Sequence, residues 1–174
     1  MSHIFRDVAG PAVCPQGSVV CIGAFDGLHV GHRALVGRAV ARARALGVAA
    51  VGLSFEPLPR EFFAKDTPPA RLMLPRGKAE GLRALGCDQV GLLRFNRAMT
   101  ALSAQDFVRS VLVQRLAARE VWVGPDFRFG HARGGDLKLL QTMGAALGFS
   151  AQAIEPVLAD GERVSSTRIR SALQ

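Results

Sequence analysis

Gly23-Ala24-Phe25-Asp26-Gly27-Leu28-His29-Val30-Gly31-His32 follows the apolar run Val19-Val20-Cys21-Ile22 and opens into the Arg- and Ala-rich segment from Arg33 to Leu46. This is the order of strand, glycine-bearing turn and helix in which an α/β sheet presents a helix N-terminus to a phosphate. The turn ends on two histidines three residues apart, half of the four that the chain possesses. Gly31 between them leaves room for a bulky anion to approach the backbone.

Outward from this turn the chain alternates. Short apolar runs at Ser18–Gly23, Val48–Phe55, Gln89–Arg94, Glu120–Gly124 and Phe149–Ile154 read as strands covered on both faces. Segments of helical composition at His32–Leu46, Gly77–Leu85, Ala104–Leu116 and Gly135–Leu147 separate them, and a last one follows the turn after Ile154. Gly47, Gly86 and Gly148 read as C-terminal caps and Ser103 as an N-cap. The pattern predicts an α/β fold: a Rossmann-like open parallel sheet of about five strands with helices on both faces. The Pro-rich stretch from Glu56 to Pro75 is long for a connector and is expected to be a functional loop.

The bulk numbers narrow the class. The chain has 174 residues, 49% hydrophobic and 21% charged, which suits one globular domain with a core. No apolar run approaches the ~20 residues that span a bilayer, and the N-terminus shows no secretory pattern. Cys14, Cys21 and Cys87 have no metal-ligand spacing and read as reduced thiols, with a cytoplasmic location expected. The formal net charge is +8, yet there is no Lys/Arg run, no tyrosine and only 6% aromatic residues. We therefore expect neither nucleic acid nor membrane as a partner. Arg38, Arg42 and Arg44 read as a solvated helix face, and the positive field as one that draws polyphosphates.

Three further segments carry chemistry. Arg163-Val164-Ser165-Ser166-Thr167-Arg168-Ile169-Arg170 gathers three hydroxyls and three arginines within eight residues at the head of the last expected helix. Hydroxyls there cap, and arginines fork onto phosphate oxygens. Gly124-Pro125-Asp126-Phe127-Arg128-Phe129-Gly130 leaves a strand at its carboxyl end, where open α/β sheets bind ligands. Asp126 suits a ligand hydroxyl or ring nitrogen. Phe127 and Phe129 point opposite ways in an extended chain, so at most one would face a ligand. In Ser54-Phe55-Glu56-Pro57-Leu58-Pro59-Arg60-Glu61-Phe62-Phe63, two prolines stiffen a strand exit before a pair of phenylalanines that could wall an aromatic ligand.

The first stretch resembles the HxGH signature of the nucleotidyltransferase superfamily. Taken together, GAFDGLHVGH, FEPLPREFF, GPDFRFG and RVSSTRIR, in this order from about Ser18 to Leu173, resemble the FMN adenylyltransferase module of bacterial bifunctional riboflavin kinase/FAD synthetases. The resemblance implies that Gly23, Phe25, Asp26, Gly27, His29, Gly31 and His32 line an ATP site that Asp126, Arg163, Ser166, Thr167 and Arg170 complete. It implies that Pro57, Pro59, Phe63 and Phe129 wall the flavin side. Leu58 stands where the family commonly has a histidine. The chain stops at Gln174, so a single nucleotidyltransferase domain over 1–174, without the riboflavin kinase module, is expected.

The reaction so implied is ATP plus FMN giving FAD and pyrophosphate, with Mg²⁺ accompanying ATP and its protein ligands unassigned. No Cys or Lys in the turn is placed as a nucleophile, so the FMN phosphate would attack the α-phosphorus in line. A phosphate dianion requires no general base. His29 and His32 would stabilise the leaving charge, aided by Ser166, Thr167, Arg163 and Arg170. The alternatives are transfer to another phosphorylated acceptor, or a non-catalytic flavin- or nucleotide-binding module.

Overall fold

In a computed structural model of the chain, residues 3–63, 74–155, 158–159 and 162–163 are described. The elements run β1 (His3–Phe5), β2 (Ser18–Ile22), α1 (Val30–Leu46), β3 (Ala49–Glu56), α2 (Pro59–Phe63), α3 (Pro75–Ala84), β4 (Gln89–Arg94), α4 (Arg97–Ala101) and α5 (Ala104–Phe107). The last of these continues as a π-helix over Val108–Arg115. Then come β5 (Ala118–Val123), a short 3₁₀ turn at His131–Arg133, α6 (Leu137–Leu147), β6 (Ser150–Ala153) and the two-residue strands β7 (Leu158–Ala159) and β8 (Glu162–Arg163).

The sheet is parallel throughout and has six strands in the order β1-β4-β3-β2-β5-β6. β7 and β8 form a separate antiparallel pair. The expected count of five was one short because β1 is only three residues long. That is too short to display alternation, and its partner β4 lies far along the chain.

Burial follows the period of two. Along β2, Val20 and Ile22 join one core with Phe107, Val111, Leu112 and Leu140. Val19 and Cys21 join the other with Leu35, Val36, Ala39 and Leu82. Helices α1 and α3 therefore cover one face, while α5, its π-helical continuation and α6 cover the other. Gly47 and Gly148 cap α1 and α6 in the left-handed region, and Gly86, also at positive φ, follows α3. The Ser103 hydroxyl accepts from the Asp106 N–H at 3.0 Å, as its N-cap role requires.

Two further expectations change. The helix foreseen over 104–116 loosens into the π form after its first turn. The arginines of α1 are not simply solvated: Arg42 bonds Glu120 through Nε at 3.0 Å, Arg44 reaches Asp88 at 2.9 Å, and Arg38 lies 5.3 Å above the Trp122 ring. All three cysteines are free and buried. No helix among the described residues is long and apolar enough to cross a membrane.

Candidate active site

The chain runs from β2 through β3 and β4 on one side, then returns to β5 on the other side of β2. This reversal beside β2 is the point at which an open sheet leaves a crevice at its carboxyl edge. Ile22 is in register with Leu53 and with Val123. Hence the turn after β2, the loop after β3 and the turn after β5 all emerge at one edge.

The turn after β2 is fixed by burial. The Gly23 N–H donates to the Leu53 carbonyl at 3.1 Å, and the Ser54 hydroxyl donates to the Ala24 carbonyl at 3.0 Å. Phe25 and Leu28 have φ of 51° and 41°, a conformation costing about 1–3 kcal/mol per residue that surrounding structure must impose. Phe25 and Asp26 are completely buried. Phe25 thus sits beneath the turn, edge-on to the His32 ring with centroids 5.4 Å apart. Its ring is turned into the protein, where the resemblance had implied only that Phe25 lines the ATP site.

His29 is the N-cap of α1. Its Nδ1 accepts from the N–H groups of Gly31, at 3.0 Å, and His32, at 3.3 Å. Two helix-terminal donors expected to meet a phosphate are thus already engaged. Because Nδ1 accepts, the imidazole proton resides on Nε2, and His29 presents an Nε2–H donor. The His32 ring stacks on His29 with centroids 3.7 Å apart and planes 16° from parallel. His32 Nδ1 is buried without a hydrogen-bond partner among the described residues. Burial, then His29, push the His32 pKa down to about 3, with Lys78 adding to the fall and Asp26 opposing it. Burial also lowers His29. Both rings are therefore neutral near pH 7.

The loop after β3 and the turn after β5 meet over a cavity of about 460 Å³. Phe55, Phe63, Phe95, Phe107 and Phe129 wall it, with Pro59, Met99 and Leu102, and Arg128 and Arg133 also line it. The volume and apolar lining suit a drug-sized aromatic ligand. Phe63 is 61% exposed and Phe129 only 5%. Phe63 packs edge-on against Phe95 at 5.7 Å. Phe127 does not point away from Phe129: a turn bonds the Phe127 N–H to the Gly124 carbonyl, and the two rings stack 5.4 Å apart. Gly130, at φ 79°, lets this turn touch α5, where a Cβ would stand 2.7 Å from the Ala104 backbone.

The remaining foreseen residues divide. Pro59 lines the cavity, whereas Pro57 is exposed and is not among its lining residues. Leu58 is fully buried, so its departure from the family pattern falls in the core. Gly27, at φ 88°, shapes the turn, and Gly31 lies in the first turn of α1. Asp126 is exposed at the turn after β5. Arg163 is described only as backbone in β8, and Ser166, Thr167 and Arg170 lie outside the described residues. Sequence reasoning missed Phe95, Met99, Leu102 and Arg133, which reach the cavity from separate elements, and the buried Lys78. No local signal marks them. No group of three or more His, Cys, Asp or Glu is arranged for a metal among the described residues. A thiol nucleophile gains no support: burial pushes Cys14 up to about 11, and a hydrogen bond with Cys87 together with burial holds Cys21 well above its ordinary value.

The chain resembles known proteins along nearly its whole length. The sequence profile described as FAD synthetase matches residues 12–168. A bifunctional riboflavin kinase/FMN adenylyltransferase from Pseudomonas fluorescens is 46% identical over 158 residues, covering 91% of this chain and 50% of that protein. The enzyme of the same name from Escherichia coli is 41% identical, with 98% and 55% covered. The chain thus spans about half the length of these curated relatives. Among solved structures, a macrolide-efflux protein from Streptococcus pneumoniae superposes with a TM-score of 0.83 at 26% identity, covering 98% of this chain and 55% of that one. The pantothenate synthetase of Thermus thermophilus shares the fold at a TM-score of 0.61 and 20% identity, with 96% of this chain and 67% of that one covered. With a family profile matched from residue 12 to residue 168, this chain belongs to the FAD synthetase family.

Proposed function

We propose that this chain transfers the adenylyl group of ATP to FMN, giving FAD and pyrophosphate. The observation that carries the reading is the placement of an aromatic cavity and a pair of neutral stacked histidines at one edge of the sheet. A flat three-ring flavin suits the first. An Nε2–H donor at the head of α1 suits the phosphates of the second substrate. The names of the relatives add weight, since FMN adenylyltransferase is half of what they are called.

On this reading, the isoalloxazine lies among Phe63, Phe95 and Phe129 with its phosphate directed toward the α1 turn. That phosphate forms a bond to the α-phosphorus as the bond to pyrophosphate breaks. His29 donates from Nε2 to a phosphoryl oxygen, held in that tautomer by the cap bonds to its Nδ1. His32 orients His29 by stacking and contributes a neutral donor of its own. Arg163, Ser166, Thr167 and Arg170, whose types suit phosphate oxygens, are assigned to the phosphates by the family resemblance. Asp126 meets a hydroxyl or ring nitrogen of the nucleotide. Mg²⁺ enters with the polyphosphate, whose charge it neutralises. No cluster of three or more acidic or His/Cys groups among the described residues is set to hold it, and no step here is routed through it.

Pyrophosphate release with ATP and a panel of acceptors tests the proposal. FMN should give stoichiometric FAD. Riboflavin, which lacks the attacking phosphate, should give no FAD directly. Absence of product with FMN, or preference for a non-flavin phosphate, would overturn it.

A further inference from the structure

Lys78 on α3 is completely buried, although its helix neighbours Ala79 and Leu82 meet the sheet with apolar side chains. Its Nζ lies 2.8 Å from Glu56 Oε1 and donates to the Ser54 hydroxyl at 3.1 Å and the Phe55 carbonyl at 3.4 Å. The Ser54 hydroxyl in turn donates to the Ala24 carbonyl at 3.0 Å. Glu56 is the last residue of β3 and adjoins Pro57, beyond which α2 carries Phe63. Ala24 opens the turn that carries His29 and His32. One ammonium therefore stands on a continuous chain of polar contacts between the two halves of the site.

Stability does not account for this arrangement. Replacing a buried ion pair by well-packed apolar groups is commonly neutral or stabilising, so such a pair contributes little that leucine would not. What the pair adds is geometry: directed bonds fix two strand exits where apolar packing would let them slide. In-line transfer is sensitive to that, since a misplacement of about 1 Å can cost about 100-fold in rate.

We propose that Lys78 is a positioning residue for adenylyl transfer, holding the histidine turn and the flavin loop at a fixed separation through Ser54 and Glu56. The inference rests on the adenylyl-transfer reading above. It separates binding from chemistry: each substrate keeps its own contacts when the link is cut, while the approach of acceptor to α-phosphorus is lost.

Lys78→Met and Ser54→Ala cut the link at two points in the 174-residue chain. Equilibrium affinities for ATP and for FMN, kcat for FAD formation and Tm are measured for each. The expected result is affinities within about threefold of the parent, with kcat lower by about 100-fold for Lys78→Met and about 10-fold for Ser54→Ala. Ser54→Ala leaves the Lys78–Glu56 pair intact, so it decides the matter if Lys78→Met fails to fold. Unchanged kcat in folded Ser54→Ala overturns the proposal. So does a loss of both affinities in step with Tm, which marks a merely structural lysine. Failure of the parent chain to make FAD counts instead against the function proposed above.

Discussion

The histidine turn and the aromatic cavity share one edge of the sheet but are built on opposite terms. The turn is made of backbone: buried residues at positive φ, a carbonyl held by a hydroxyl, and an imidazole locked as a cap. Two of its residues, Phe25 and Asp26, are completely buried. The cavity is made of side chains from several elements and loops, with Phe63 left largely in solvent. The first is suited to stabilising charge that develops during reaction, which demands donors that need no reorganisation. The second is suited to holding a flat ligand, which demands only surface. Substitutions in the turn should therefore act on rate, and substitutions in the cavity on affinity.

The largest effect is expected at His32. His32→Ala removes a donor and also the ring on which His29 stacks, so turnover should fall by about 100-fold or more. Near-normal FAD production by a folded variant would break the distinction between the two regions. His29→Asn should cost up to about 100-fold and at least about 10-fold in turnover, the equivalent of one hydrogen bond to a charged group. Asparagine keeps an oxygen for the N-cap while lacking the Nε2–H, so Tm should hold. A fall in Tm without a fall in kcat would reassign His29 to capping alone.

How far the two regions were legible in the sequence follows from the same contrast. The turn announces itself locally: an apolar strand, glycines, and histidines at the head of an Ala-rich helix lie in one contiguous stretch. What the sequence does not display is that the His29 side chain consumes two of the N–H groups that the helix end would offer, or that Phe25 faces inward. Those depend on how β2 meets β3. The cavity is less legible, because Phe95 and Met99 reach it from beside and within a five-residue helix, α4, whose local signature is the cap bond from the Met99 N–H to Asn96. Lys78 reads as one more polar position of an amphipathic helix, and its burial comes from contact with Glu56 on a strand distant in sequence. The π-helix over Val108–Arg115 carries apolar spacing that an α-helix would also satisfy.

A third prediction concerns affinity. Phe63→Ala should weaken FMN binding by about 2- to 10-fold, the worth of one aromatic contact, with ATP binding and Tm nearly unchanged because the side chain is exposed. Flavin fluorescence titration beside ATP calorimetry reads both. Equal loss of both ligands would show the two regions to be less separate than their construction suggests.

The smallest effect lies in acid stability. Both histidines have folded-state pKa values below the ordinary 6.5, His32 at about 3. The unfolded chain therefore binds more protons below that pH. The contribution is fully present above 6.5 and is lost as pH falls toward 3. Tm should decline across this window, and less steeply in His32→Gln. An identical slope in the variant would mean that His32 takes up its proton while still folded.

On this reading the charge-handling turn and the apolar cavity are two halves of one site, and FAD carries a ligand for each half on a single molecule. Displacement of bound FAD, followed by flavin fluorescence at equilibrium, checks whether they are. ATP alone and FMN alone should each displace FAD completely. Displacement by only one of them, with FAD and the other bound together, would contradict it.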